Sequence, residues 1–258
     1  SLDMFPYLYL KNDKPTAWAN TTKAFHRPGP AAEDFEAINC LTEFARKSRA
    51  YIASRTKSDK PFFLYLPLTS PHTPIVPSKN WQGKSSLGKY GDFLMETDWV
   101  VGQVLQALDR HRLAKDTIVI FATDNGCSPA AKIPALVAKG HKPNADWRGH
   151  KADIFEGGHR VPFLVRWPGK VAAGSTSGQT ICTADLFATV ADVLGKSAVI
   201  PANAAEDSFS FLPALLGQAQ AKRRPFTIHH SINGSFAIRR GKWKLALCPG
   251  SGGWSAPK

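Results

Sequence analysis

The sequence is poor in cysteine and in acidic residues, and it has no long apolar run. Its four cysteines, Cys40, Cys127, Cys182 and Cys248, are scattered along the chain without a C-x-x-C pair. That spacing argues against zinc ribbons, dithiol redox motifs and disulfide scaffolds. No stretch reaches the roughly 18 apolar residues of a bilayer-spanning helix, and Ser1 to Leu10 lack the charged-then-apolar layout of a signal peptide, so no membrane partner is expected. No basic stretch is interleaved with aromatics and no zinc-finger or RNP motif is present, so nucleic acid is not an expected partner either. The 20 Asp+Glu fall short of the 33 Lys+Arg and leave a formal net charge of +13, which suits an acidic substrate or plain solubility. What is there is a globular composition, 43% hydrophobic and 21% charged over 258 residues, which excludes disordered, collagen-like and coiled-coil chains. The length allows one large core, or a large core with a small satellite domain. The chain starts at Ser1 without an initiator Met, and processing or truncation upstream is expected.

From Ala31 to about Lys57 the residues Phe35, Ile38, Leu41, Ala45 and Ile52 recur at helical intervals, acidic at the start and basic at the end, as the helix dipole favours. The run Phe62-Phe63-Leu64-Tyr65-Leu66 reads as a buried strand, followed by the Pro-rich loop Ser70-Pro71-His72-Thr73-Pro74. Tyr90, Phe93, Leu94, Val101, Val104, Leu105 and Leu108 mark the clearest helix, and Thr117 to Phe121 a second buried strand. Strand, helix and strand in that order predict a parallel sheet. The segment Cys127 to Arg160 reads as a loop of about 30 residues, a length that is usually functional. Val161 to Trp167 reads as a strand, and Thr183 to Leu194 as a helix. Beyond Leu216-Gly217, short strands at Phe226–His229, Ser235–Arg239 and Trp243–Leu247, with a hairpin at Arg240-Gly241, predict a small antiparallel satellite. The expected fold class is α/β, a mostly parallel sheet sandwiched by helices over 1–217, with a small C-terminal antiparallel subdomain over 218–258.

Ligand sites of open α/β sheets lie beyond the carboxyl ends of the strands. Asp124 and Asn125 sit there, and a carboxylate beside an amide oxygen offers hard oxygen ligands suited to calcium or magnesium rather than zinc; alone, Asp-Asn-Gly is equally a common turn. His72, held between prolines, is either a proton donor and anion contact or an exposed loop histidine. Lys151, in Trp147-Arg148-Gly149-His150-Lys151, is either an ammonium aimed at an anion or an ordinary surface lysine. Arg148, His141, His150 and His159 are candidates to line a pocket on the same long loop.

Taken together these segments resemble the sulfatase family, within the alkaline-phosphatase-like superfamily. The resemblance rests on Pro61–Leu66 with Ser70-Pro71-His72-Thr73-Pro74, on Phe121-Ala122-Thr123-Asp124-Asn125-Gly126, on Arg148 to Pro162, on Arg166-Trp167-Pro168-Gly169, and on Ala237 to Leu245. It implies a sulfuric ester hydrolase of the arylsulfatase type. Asp124 and Asn125 then match the pair that holds Ca2+ against the sulfate, His72 matches the histidine that assists the leaving oxygen, and Lys151 matches the lysine that neutralises it. His141, His150 and Arg148 are expected substrate contacts, while Glu156, Gly157, Gly158 and Arg160 are expected to be structural. A sulfated small molecule or glycan is the implied substrate, and a periplasmic or extracellular location is implied by family.

The sequence departs from the family at three places, one being the upstream lysine and histidine of a Gly-Lys-Trp-His type motif, to which Gly241-Lys242-Trp243-Lys244 is only superficially similar. The C-x-P-x-R motif, whose cysteine becomes the formylglycine nucleophile, is absent, and so is the Asp pair that completes the calcium shell. Cys127-Ser128-Pro129-Ala130-Ala131 has Ala where the modifying enzyme needs Arg and follows Asp-Asn-Gly directly, so Cys127 is not the nucleophile. The expectation is the carboxyl-terminal part of a sulfatase, inactive alone, with its missing N-terminal portion as partner. A non-catalytic module binding sulfated glycans, or a phosphatase or phosphonate hydrolase of the same superfamily, are the alternatives. Asn20-Thr21-Thr22 and Asn233-Gly234-Ser235 are glycosylation sequons by pattern.

Overall fold

Helical periodicity is realised in α1 (Cys40–Arg55) and α2 (Lys89–Arg110) of the computed structural model, which describes residues 2–218 and 224–257. The chain forms two units, Ser1–Ala114 with Ala130–His141, and Lys115–Pro129 with Lys142–Lys258. In the first, Leu41, Ala45, Ser48 and Ile52 form the buried stripe of α1, and Phe93, Val100, Ala107 and Leu108 lie buried on α2. Leu41 and Ala45 pack with Phe93 and Val100 under Leu66, Leu68 and Trp99. Full burial of a side chain such as Phe93 contributes about 1.5–3 kcal/mol.

Two small hairpins precede α1: β1 (Leu10–Lys11) with β2 (Lys14–Pro15), and β3 (Thr21–Ala24) with β4 (Pro28–Ala31), both antiparallel. They correct the expected helix start at Ala31. Ala31 is a strand residue, and the Lys23 ammonium binds the carbonyls of Glu33 and Phe35, each at 2.7 Å, and the Glu36 carboxylate at 2.8 Å. Carbonyls engaged by an ammonium in this way hold the lead-in out of a helix, which begins only after the 3-10 turn Ala37–Asn39. Tyr7, Ala31, Phe35 and Cys40 form the core here, with the Tyr7 ring edge-on to Phe25 at 5.0 Å. The same unit holds α3 (Ile133–Ala138), inside the segment the sequence reads as loop.

The strand expected over 62–66 has no ladder partner among the described residues. Its side chains alternate in exposure, with Phe63 80% and Tyr65 76% exposed, so one face is covered and the other bare.

In the second unit β5 (Val119–Ala122) pairs with β6 (Phe163–Arg166) antiparallel, in the register Val119↔Arg166 to Ala122↔Phe163. Every ladder between the described strands is antiparallel, and the parallel pairing expected from the strand-helix-strand order is not among them. The single-turn helix α4 (Glu156–His159) leads into β6. Helix α5 (Asp185–Val193) and the short α6 (Leu212–Leu215) follow. Asp185 is fully buried and takes two hydrogen bonds from the Arg224 guanidinium, at 2.6 and 3.1 Å. The small C-terminal sheet is present as β7 (Thr227–His230), β8 (Phe236–Arg240) and β9 (Trp243–Ala246), with Gly241 at φ +57° in the β8–β9 turn. Of the expected subdomain over 218–258, residues 219–223 and 258 lie outside the described residues.

Candidate active site

The Asp-Asn-Gly turn leaves the end of β5, with Asp124 exposed and Asn125 half-buried. The Asn125 side-chain amide donates to the Gly126 carbonyl at 3.0 Å, which orients its amide oxygen away from that carbonyl. The turn is knotted into the following loop by backbone bonds. Gly126 N donates to Gly158 O at 3.1 Å, Lys151 N to Cys127 O at 3.0 Å, and Gly157 N to Arg148 O at 2.8 Å. The Asn144 side chain bridges the two sides, accepting from Cys127 N at 2.8 Å and donating to Gly149 O at 3.2 Å.

Glycine is obligatory in this knot. A β-carbon on Gly126 would lie 1.7 Å from Gly157 O, one on Gly157 2.1 Å from Gly149 O, and one on Gly158 2.4 Å from Asp153 O. The Gly-Gly of the Glu156–Arg160 signature therefore lets two backbones touch, and that contact brings the Lys151 backbone to the Asp124-Asn125 turn.

Around it the charged groups are paired off. Glu156 accepts from Arg239 at 2.8 Å and Lys244 at 3.1 Å, and Arg160 approaches at 3.8 Å. Burial pushes the Glu156 carboxyl up, but the Lys244, Arg239 and Arg160 cations outweigh it and hold the pKa below the ordinary value. The Arg148 guanidinium lies 3.9 Å from the Phe155 ring and Arg160 4.0 Å from the Trp147 ring. His150 places Nδ1 2.9 Å from Lys151 O, so in the neutral ring Nδ1 carries the proton and Nε2 is the acceptor. Asp153, completely buried, accepts from His150 N at 2.9 Å.

The structure thus gathers Asp124, Asn125, Arg148, His150 and Lys151 in the second unit. His72 and His141 belong to the first. His72 Nδ1 lies 2.9 Å from Thr73 O, and its loop is tied to α2 by the Ser70 hydroxyl, 2.6 Å from that of Thr97. His141 lies three residues beyond α3, its backbone N–H donating to Leu136 O at 3.0 Å. It falls in the first unit and His150 in the second, although the sequence groups them on one loop. Asn144 and Asp153 escape sequence reasoning as site-forming residues; the signal available was only that both are short polar side chains inside an unusually Gly-rich segment.

Asp124 and Asn125 supply two hard oxygen donors, the kind a calcium ion takes. Among the described residues no group of three or more His, Cys, Asp or Glu could hold a metal. The pair fits one corner of a calcium shell and does not by itself make a site of the six or more oxygens that ion prefers.

A family model described as Sulfatase matches residues 12–196. N-acetylgalactosamine-6-O-sulfatase of Bacteroides thetaiotaomicron is 35% identical over 201 residues, 77% of this chain and 38% of the relative. Human steryl-sulfatase is 37% identical over 176 residues, 67% of this chain and 29% of the relative. The chain thus spans well under half the length of these relatives. Among solved structures, one named for the metabolism of multiple glycosaminoglycans by Bacteroides thetaiotaomicron superposes with a TM-score of 0.82 at 27% identity, covering 95% of this chain and 59% of the other. The PsFucS1 sulfatase of Pseudoalteromonas shares the fold at a TM-score of 0.74 and 24% identity, covering 85% of this chain and 42% of that one. No helix among the described residues is long and apolar enough to cross a membrane. With the family model covering most of its length and two curated sulfatases above 30% identity, the chain belongs to the sulfatase family.

Proposed function

We propose that this chain is the part of a sulfuric ester hydrolase that holds half of the metal site and the leaving-group machinery, acting on a sulfated small molecule or glycan. The observation that carries the reading is the 3.0 Å bond from Lys151 N to Cys127 O, which ties a lysine to the turn bearing Asp124 and Asn125. Breaking a sulfate ester builds negative charge on the departing oxygen. A preplaced ammonium at Lys151 and a proton donor at His72 lower that barrier by meeting the charge as it forms. Arg148, His141 and His150 contact the substrate. A calcium ion held by Asp124 and Asn125, with ligands from outside this chain, would draw charge from the sulfate oxygens. The nucleophile is a formylglycine carried by sequence outside these 258 residues.

In this reading 1–217 is the C-terminal part of the catalytic α/β domain, its mostly parallel sheet completed by that further sequence, and 218–258 is a small antiparallel subdomain. The setting is periplasmic or extracellular. The relatives' names support the chemistry: one is an N-acetylgalactosamine-6-O-sulfatase, another a steryl-sulfatase.

The test is release of sulfate from a chromogenic aryl sulfate and from sulfated glycans. The isolated chain is expected to release none and to bind calcium weakly, and a longer chain that adds a C-x-P-x-R segment is expected to turn over. Clear turnover by the isolated chain, or none by the longer one, contradicts the proposal.

A further inference from the structure

Asp153 is a buried carboxylate with an unusual set of partners. Its side chain is 0% exposed, and it accepts from His150 N at 2.9 Å, Trp254 N at 2.9 Å, Ser255 N at 3.0 Å and the Ser255 hydroxyl at 2.6 Å. Three of those four bonds come from residues more than a hundred positions downstream, |i−j| being 101 and 102. The same tail accepts from Ile154 N at Ser251 O, 2.8 Å, and Ile232 N donates to Ala152 O at 2.9 Å. The approach is close enough that a β-carbon on Gly253 would lie 2.5 Å from Ala152 O and 2.6 Å from Asp153 Oδ1.

A carboxylate withdrawn from water is costly unless its lone pairs are filled, and apolar packing would serve stability as well. Here the lone pairs are filled by backbone and hydroxyl donors of a C-terminal strap that runs under the segment 150–154. Lys151 lies inside that segment, fixed on one side through its own N–H to Cys127 O and on the other by the bonds that His150 and Ile154 make to Asp153 and Ser251.

We propose that Asp153 is a positioning residue for Lys151, acting through the strap Ser251–Ser255, and so sets where the lysine ammonium stands at the leaving oxygen. The proposal rests on the sulfatase reading above. A backbone held from both flanks fixes the point from which the Lys151 side chain reaches, and a misplacement of about 1 Å costs on the order of 100-fold in rate.

The experiment is a double-mutant cycle in the enzyme that turns over sulfate, together with hydrogen exchange on the same proteins. Asp153→Asn and the milder Ser255→Ala are expected to lower kcat by roughly 10- to 100-fold and about 3-fold, with KM changed less. On a Lys151→Ala background neither should lower kcat further, since the group they position is gone. Losses that multiply with that of Lys151→Ala indicate a merely structural role and overturn the proposal. The Lys151 amide should exchange faster in both variants than in the parent; unchanged protection overturns the proposal independently of catalysis. If the parent enzyme releases no sulfate from any ester while the variants still speed exchange at Lys151, the sulfatase reading fails and the hold of Asp153 on that segment stands.

Discussion

A β-carbon on Gly126 would stand 1.7 Å from the carbonyl oxygen of Gly157, 31 residues on in the chain, a distance that neither backbone can absorb without moving. Gly102, in the middle of α2, has open space where its β-carbon would be. Gly126→Ala is expected to cost more than about 3 kcal/mol, the upper end of overpacking, and to unmake the site knot. Gly102→Ala is expected to stabilise by about 0.5–1 kcal/mol, by removing backbone freedom from a helix interior. Urea titration of the two variants beside the parent checks both; a tolerated Gly126→Ala contradicts the contact.

Arg224 and Asp185 form a buried pair, their side chains 6% and 1% exposed, and Asp185 also accepts from Cys182 N and Phe209 N at 2.8 Å each. Asp185→Ala takes the counter-charge from a largely buried guanidinium, which keeps only the Phe226 and Asp207 carbonyls, and the acceptor from two amides, and is expected to cost about 3–5 kcal/mol. By contrast Lys142 and Asp146, at 2.7 Å but largely exposed, should be separable without measurable effect. Denaturant midpoints of Asp185→Ala and Asp146→Ala order the two interactions; equal losses would refute the ranking.

His229 lies 4.3 Å from the His159 ring, centroid to centroid, and its Nε2 is buried with no hydrogen-bond partner among the described residues. Burial, then the Lys244 and His159 charges, depress its pKa from 6.5 to about 4, with Glu156 opposing. The unfolded chain therefore takes up a proton that the fold refuses, and stability present above pH 6.5 is lost as pH falls towards 4. Asp153 adds to the loss at lower pH: burial raises its pKa, but the Ser255, His150 and Trp254 hydrogen bonds outweigh this and lower it, so its contribution disappears as it protonates. The thermal midpoint should drop steadily across that window, and His229→Asn should flatten the slope between pH 6.5 and 4. An unchanged slope would remove His229 from the account.

Lys151→Ala, in the enzyme that turns over sulfate, is expected to lower kcat by about 100- to 1000-fold while changing KM far less, because the ammonium is needed where charge develops. Steady-state kinetics with an aryl sulfate decides it. A turnover number equal to the parent's would take Lys151 out of the mechanism.

Much of the local structure was legible in the residues. The apolar stripe of Tyr90 to Leu108 placed α2, and the stripe beginning at Leu186 placed α5. Arg240-Gly241 marked the turn between β8 and β9. Where local pattern misled, a distant partner had intervened. The acidic lead-in to α1 has the composition of a helix start, but Lys23 engages its carbonyls and Ala31 joins β4. The apolar run 62–66 looks doubly buried, but Phe63 and Tyr65 are bare.

The sequence alone therefore determined the family and the bodies of the long helices α1, α2 and α5, and singled out Asp124, Asn125 and Lys151 as candidates, since periodicity and short motifs are properties of neighbouring residues. Only the tertiary structure decided that β5 and β6 run antiparallel, that Gly126 and Gly157 interlock, and that Asp153 is bound to Trp254 and Ser255. Those outcomes depend on which donors meet which acceptors across loops of tens to a hundred residues, and no local pattern encodes that pairing.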